Sequence, residues 1–339
     1  MLVALAACPT ASPTPQPQPK AQPKKTAPAP TPTPTPAADG SADATPTPAA
    51  ADDSLPSELR GDEVPEGARV LWRALEEIDH GNPDAMGAAM LTSARWFPPG
   101  SAAESIGNDD GTIVRGMKPW AARDLALDIR RVIDLGGNPL VVQLSVDKTT
   151  DPNLRFDLVL LVDFKEDEIA SVRQYGDPLG PVRSRAEDTE RTLDLGPPSP
   201  IEMVHGEPNL DHVKAAKAHL EAQNGSLDDL APLLGDDAVL HDVTVRRTRN
   251  GKKDYQQGYQ LTLGDKGSVQ AVRMHAAGDF VMVEGAVHGR VSADDGSPRE
   301  YGYVDIHRFE DGLIAETWHY VNLRGRPSRP GTRVAVPAG

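Results

Sequence analysis

The sequence predicts an α+β fold: two tandem cone-shaped domains, each with helices packed on a curved antiparallel sheet, after a disordered Pro-rich N-terminal tether. Three observations carry this reading. Thirteen of the 32 prolines fall in the first 50 residues. Beyond them, two separate blocks of sequence recur at nearly one offset. Within each copy a helical periodicity comes first and strand-like runs follow, which is the order of an α+β domain.

The chain opens Met1-Leu-Val-Ala-Leu-Ala-Ala-Cys8 and then turns polar. Leu5-Ala6-Ala7-Cys8 resembles the lipobox of bacterial lipoproteins, which implies acylation of Cys8 and a lipid anchor at the cell envelope. A secretory signal has a basic n-region and an apolar stretch of ~7 to 15 residues. Residues 1–8 are therefore expected to be the remnant of a signal that starts further upstream; the alternative is a chance apolar start with a spare cysteine. One cysteine excludes an internal disulfide. Residues 9–54 form a Pro/Thr/Ala tract, including Pro28-Ala-Pro-Thr-Pro-Thr-Pro-Thr-Pro36. Proline fixes φ and removes backbone donors, so the tract reads as an extended spacer of ~3 Å per residue. No apolar run approaches the ~20 residues of a spanning helix.

The repeat is read by self-comparison. Asp163–Tyr175 lines up with Arg308–Tyr320 at an offset of 145, through Phe164/Phe309, Ile169/Ile314, Ala170/Ala315 and Tyr175/Tyr320. Leu75–Met90 shadows His219–Leu234 at an offset of 144, through Gly81/Gly225, Asp84/Asp228 and Met86/Leu230. The copies span about 62–180 and 207–325, with a linker at 181–206 and a flexible tail at 326–339. Each copy opens with an amphipathic helix, marked by Val70, Leu71, Ala74, Leu75 and Ile78 in the first and by Val213, Ala216 and Leu220 in the second. Gly81-Asn82-Pro83 and Asn224-Gly225 stop these helices. A short second helix comes next. The strands expected after it are Leu140–Val146, Leu154–Phe164 and Ile169–Tyr175, then Val269–Met274, Phe280–Arg290, Tyr301–Phe309 and Leu313–Tyr320. Glu310-Asp311-Gly312 reads as the hairpin turn between the last two.

Charge excludes one class of partner. The chain has a formal net charge of -15, yet its first 50 residues carry three lysines against two aspartates. The acidic remainder repels phosphate backbones, and aromatics are only 4% of residues, so nucleic acid is not expected.

Copy two resembles the SnoaL-like, polyketide-cyclase-like branch of the NTF2-like superfamily. The segments that carry the resemblance are 234–242 (LGDDAVLHD), 277–283 (AGDFVMV) and 303–318 (YVDIHRFEDGLIAETW). Leu313 and His307 depart from the family's usual Lys and aromatic. The resemblance covers copy two and, more faintly, copy one. It implies a cone of helices closed by a curved sheet, in a superfamily that includes isomerases, cyclases, dehydratases, epoxide hydrolases and non-catalytic binders.

Period-two alternation puts Tyr301, Tyr303, Asp305, His307 and Phe309 on one face of a strand, a mixture that suits a ligand cavity. The resemblance gives Asp305 and Asp242 as acid/base carboxylates and puts His241 where relatives often carry a histidine; the alternation adds His307 as the other candidate partner. Tyr301, Tyr303 and Trp318 are the expected ligand-binding walls. His241 and Asp242 alternate, so only one of them points into the cone. Eight of the nine histidines follow position 200, but none pairs at metal-ligand spacing, so neither a metal nor a cofactor is expected. His212 and His219, seven apart, read as a water-facing helix surface. At offset 145, Asp305 maps to Leu160 and His307 to Val162; at offset 144, His241 and Asp242 map to Phe97 and Pro98. Copy one therefore reads as a packed structural core filled by Leu158, Leu160 and Val162. Three functions stay open: a cofactor-free isomerase, cyclase or lyase with an Asp base, a non-catalytic binder of a small hydrophobic ligand, and a structural or interaction module whose copies pack as an intramolecular pseudo-dimer, with the membrane reached only through Cys8.

Overall fold

The computed structural model describes residues 55–97, 106–109, 111–121, 125–136, 138–148, 151–176, 200–243, 247–263, 267–291 and 298–322. Cys8, the tether, Pro98 and the tail from 326 lie outside them. The first half runs α1 (Glu66–Asp79), α2 (Asp84–Ala88), β1 (Met90–Phe97), β2 (Ile106–Gly107), α3 (Thr112–Ala121), β3 (Leu125–Asp134), β4 (Leu140–Lys148), β5 (Asp151–Lys165), β6 (Glu168–Tyr175) and β7 (Glu202–Val204). The second runs α4 (Leu210–Asn224), a 3₁₀ stretch at Leu227–Leu233, β8 (Leu234–Asp242), β9 (Arg247–Asn250), α5 (Lys252–Leu263), β10 (Ser268–Ala277), β11 (Phe280–Val291), β12 (Pro298–Glu310) and β13 (Leu313–Val321).

The two sheets repeat one order. The first is β2-β1-β6-β5-β4-β3-β7 and the second is β10-β11-β12-β13-β8-β9. The long strands form antiparallel meanders, as the sequence implies. The sheets are nevertheless mixed, because β1 pairs parallel with β6 and β8 parallel with β13. Each of these first strands leaves through a helix, α3 or α5, before the meander begins, and such a crossover is what parallel pairing requires. Strands β1 and β3 and helices α3 and α5 have no counterpart in the sequence reading. In β3, Asp128, Arg130 and Arg131 mask the alternation, and the register shifts between Ile129 and Arg131. Glu202–Val204, inside the expected linker, adds a parallel edge strand to β3.

The last hairpin of each copy contains the same irregularity. Asp311 and Gly312 turn at φ of 51° and 77°, a left-handed pair that glycine makes easy in the second position. From that turn Glu310 pairs with Leu313 and Phe309 with Ile314, but Arg308 then pairs with Glu316, so Ala315 is an extra, bulged residue. In copy one Phe164 pairs with Ile169 and Asp163 with Ser171, which makes Ala170 the extra residue. The two bulges sit at equivalent positions of the repeat.

Three cores result. Leu71, Leu75 and Ile78 of α1 pack on Leu158, Leu160 and Val162 of β5 in the first cone. Tyr255 and Tyr259 of α5 join Ala216, Leu240, Val283 and Phe309 in the second. Between the sheets, Val159, Leu161 and Tyr175 of copy one meet Val304, Ile306 and Trp318 of copy two. At the edge of this contact Glu284 of β11 accepts from the Tyr175 hydroxyl at 2.7 Å and lies 3.0 Å from Arg173 Nε and 2.7 Å from Arg273 Nε. Gly302 sits under the Tyr175 ring, where a Cβ would come within 3.1 Å of the ring edge. Glu284→Ala leaves Arg173 and Arg273 with Asp163 alone as their shared carboxylate. It is expected to lower unfolding free energy by about 2–3 kcal/mol, read by denaturant titration.

Candidate functional site

The interior of the second cone is built on β12 and β13. The bulge at Ala315 sets Asp305 opposite His319 and His307 opposite Thr317, so four polar side chains share the inner face. All four are buried, as are Tyr303, His219, Tyr255 and Tyr259 around them. His319 Nδ1 donates to Asp305 Oδ1 at 2.5 Å, and the Tyr259 hydroxyl donates to Asp305 Oδ2 at 2.9 Å. His307 Nδ1 lies 2.8 Å from Thr317 Oγ1, which lies 2.6 Å from the Tyr255 hydroxyl. That hydroxyl is also 3.2 Å from His219 Nε2, and His219 Nδ1 is 3.0 Å from the Gln223 amide. Among the described residues, His307 Nε2, His319 Nε2 and Tyr303 OH are buried with no hydrogen-bond partner.

The charges of this cluster follow from burial and contact. Burial works against the Asp305 carboxylate, but His319, both by charge and by hydrogen bond, outweighs it together with His307 and His219. The carboxyl is held below its usual value. Burial likewise disfavours a charged His319, yet the Asp305 carboxylate, with Asp242 adding to it, raises the imidazole above the ordinary range. His219 is pushed well below it, by burial first and then by His307. Burial also takes His307 down to about 4, against the pull of Asp305. These directions favour a charged Asp305–His319 pair and neutral rings at His219 and His307.

The residues singled out in the sequence separate into two places. Asp305, His307, Tyr301 and Tyr303 lie inside the cone. Asp242, the neighbour of His319 across the β8–β13 pairing, acts on that ring by charge from the same side. His241 and Trp318 are elsewhere. They stack on one another on the outer face, at 5.5 Å between ring centroids, and His241 Nε2 lies 2.7 Å from Glu316. Both line a cavity of about 220 Å³ between the sheets, with Arg131 and Gln143 from copy one and Tyr320 from copy two. Counting from the two-residue turn without the bulge brings Trp318 opposite Asp305. The extra Ala315 replaces it with His319, and that is why Trp318 is not a wall of the cone.

His212 and His219 are buried rather than water-facing. His212 stacks on Phe309 with centroids 4.4 Å apart. The signal was present: His212, Ala216, His219 and Gln223 follow i, i+4, i+7, i+11, the inward stripe of α4. In the sequence alignment of the repeat, His219 falls on Leu75, a core residue of α1. His319, Tyr255 and Tyr259 were likewise not anticipated as members of the site.

Residues 216–317 match the family model of the SnoaL-like domain. A ketosteroid isomerase-like fold from Catenulispora acidiphila, solved with trimethylamine, is 19% identical over 32% of this chain and 86% of its own, with a TM-score of 0.30. An LEH-like epoxide hydrolase from M. tuberculosis is 21% identical over 34% and 84%, with a TM-score of 0.28. An NTF2-like protein of unknown function from Burkholderia xenovorans is 19% identical over 38% and 97%, with a TM-score of 0.30. None of the curated proteins matches the chain.

The neutral histidines give the fold an acid limit. Between His307's folded value of about 4 and the unfolded ~6.5, the unfolded chain binds the extra proton, so stability falls as pH falls through that window. His219 has the same sign. His319, raised, has the opposite one: its contribution is present in acid and lost as pH rises through its folded value. Thermal melts from pH 6.5 to 4 should show a steep decline, of which His307 accounts for about 3 kcal/mol. His307→Asn should flatten it.

Proposed function

We propose that the second domain takes a small, largely hydrophobic carbonyl compound into its cone and assists proton transfer on it. In this reading His319 is the acid and Asp305 the carboxylate that fixes its tautomer. The observation that carries it is a pair of orphaned polar atoms, His319 Nε2 and Tyr303 OH, on side chains whose ring centroids are 6.0 Å apart. A buried donor or acceptor left unpaired costs ~1–3 kcal/mol. Copy one has Leu158 where copy two has Tyr303, and Gln174 where copy two has His319. Two donors aimed at one carbonyl oxygen would polarise it and ease loss of a proton from the adjacent carbon. Asp242 is the proposed acceptor of that proton. Asp305 is a poor base for it, because its two oxygens already accept from His319 and Tyr259.

The test is hydrogen–deuterium exchange at the α-carbons of a panel of cyclic ketones in D₂O, followed by proton NMR. Wild-type protein should accelerate exchange for at least one member. His319→Gln should reduce the acceleration by about 10²-fold or more, the range for a lost acid–base group. Exchange at the buffer rate for every ketone, with no rise in melting temperature, would sink the reading.

The address is a separate proposal resting on Leu5-Ala6-Ala7-Cys8 and the Pro-rich tract after it. Cells fed an alkyne-tagged fatty acid should label the wild-type protein, which should sediment with membranes. Cys8→Ser should lose both properties, and an unlabelled wild-type protein would refute the anchor.

A further inference from the structure

His219 of α4 and Asp305 and His307 of β12 each offer one donor atom inside the second cone. The three atoms lie within 4.8 Å of one another, and all three side chains are buried. Among the described residues no other such group of histidine, cysteine and carboxylate side chains occurs. We propose that these three residues bind a divalent transition-metal ion of the zinc class.

The donor set suits it. Two imidazole nitrogens and one carboxylate oxygen are borderline ligands that favour zinc, cobalt or iron over magnesium or calcium. The surroundings suit it too. A metal-binding histidine has its other ring nitrogen held by a hydrogen bond, which fixes the tautomer and aims the free lone pair. His307 Nδ1 is held by Thr317 Oγ1 and His219 Nδ1 by the Gln223 amide. The Gln223 Oε1 atom has no partner of its own. Turned to the ring it would accept the Nδ1–H and leave the lone pair on His219 Nε2, where a metal would displace the Tyr255 hydroxyl now 3.2 Å away. Asp305 is steadied by Tyr259 and His319.

His307 Nε2 is the second, independent observation: buried, polar and without a partner. Ligand atoms bound at ~2.1 Å around one ion sit ~3 to 3.4 Å apart, so the three need to close by about 1 to 2 Å, mostly by side-chain rotation. Packing alone does not call for these residues, since the repeat places Leu75, Leu160 and Val162 at the same positions of copy one. Three protein ligands also leave coordination positions open, the pattern of sites where a metal meets water or substrate rather than one that only braces a fold.

This inference goes beyond the proton-transfer reading, which turns on His319 and Tyr303. The untagged full chain, stripped with EDTA, is titrated with Co²⁺ and followed by its visible d–d bands, with elemental analysis for stoichiometry. One tightly bound Co²⁺ per chain is expected, displaced by Zn²⁺, with two imidazole nitrogens in the X-ray absorption spectrum. His307→Gln should abolish the bands. Thr317→Val, which removes the hydroxyl that holds both His307 Nδ1 and the Tyr255 hydroxyl, should weaken affinity about 10- to 100-fold. His205→Gln, at an exposed histidine, should leave it unchanged. No stoichiometric binding by the folded wild type, or bands indifferent to both His307→Gln and Thr317→Val, overturns the proposal. If His307→Gln does not fold, Thr317→Val decides. The ketone exchange is a separate readout: exchange without metal removes only this inference, and metal without exchange removes only the reading before it.

Discussion

Both faces of β12 are buried, and the rest of the second half is arranged around that constraint. Alternate residues must satisfy two different environments: Tyr303, Asp305 and His307 face the cone, while Val304 and Ile306 face the first copy's sheet. A slip of one residue would press Asp305 and His307 against Val159 and Leu161 and turn Ile306 toward Tyr259. Register on such a strand is therefore strongly specified. The bulge at Ala315 is part of that specification, since it brings β13 into phase so that Thr317 and His319 share the inner face while Trp318 and Tyr320 share the outer one.

Much of this was legible in the chain. The repeat, the α-then-β order, the long strands and the inward face of β12 follow from offset and alternation, because those signals depend on one residue type at a fixed spacing. The mixed pairing did not, since a parallel partner far away in sequence leaves no local trace in Met90–Phe97. The site was half legible. Asp305 and His307 were visible as polar residues in a strand of apolar alternation. His319 was not, because the single bulged alanine that selects it over Trp318 looks like any other residue of the strand. His219 was passed over because a histidine reads as a surface residue, although its spacing with Ala216 marked the packed side of α4.

The two cones show what the same frame does with opposite contents. In the first, Leu75, Leu160 and Val162 fill the interior and need no partners. In the second, the residues at those positions are His219, Asp305 and His307, tied into a network with two tyrosines, a threonine and another histidine. Such a network is stable only when it is nearly complete, because the low dielectric that strengthens each hydrogen bond also makes each missing one costly. Its remaining gaps, at Gln223, His307, His319 and Tyr303, are where a bound group would find complementary atoms already in place.

The sheet-to-sheet contact joins two halves that one backbone already links. In a symmetric pair of identical chains, any substitution appears on both sides of the contact at once, so neither half can change alone. Here each side is encoded separately. One cone carries apolar packing where the other carries polar groups, while still presenting Val159, Leu161 and Tyr175 to its neighbour. Because the neighbour is tethered, its local concentration does not fall on dilution. The half with the polar interior thus has a permanent companion, present at a one-to-one ratio however little of the protein is made.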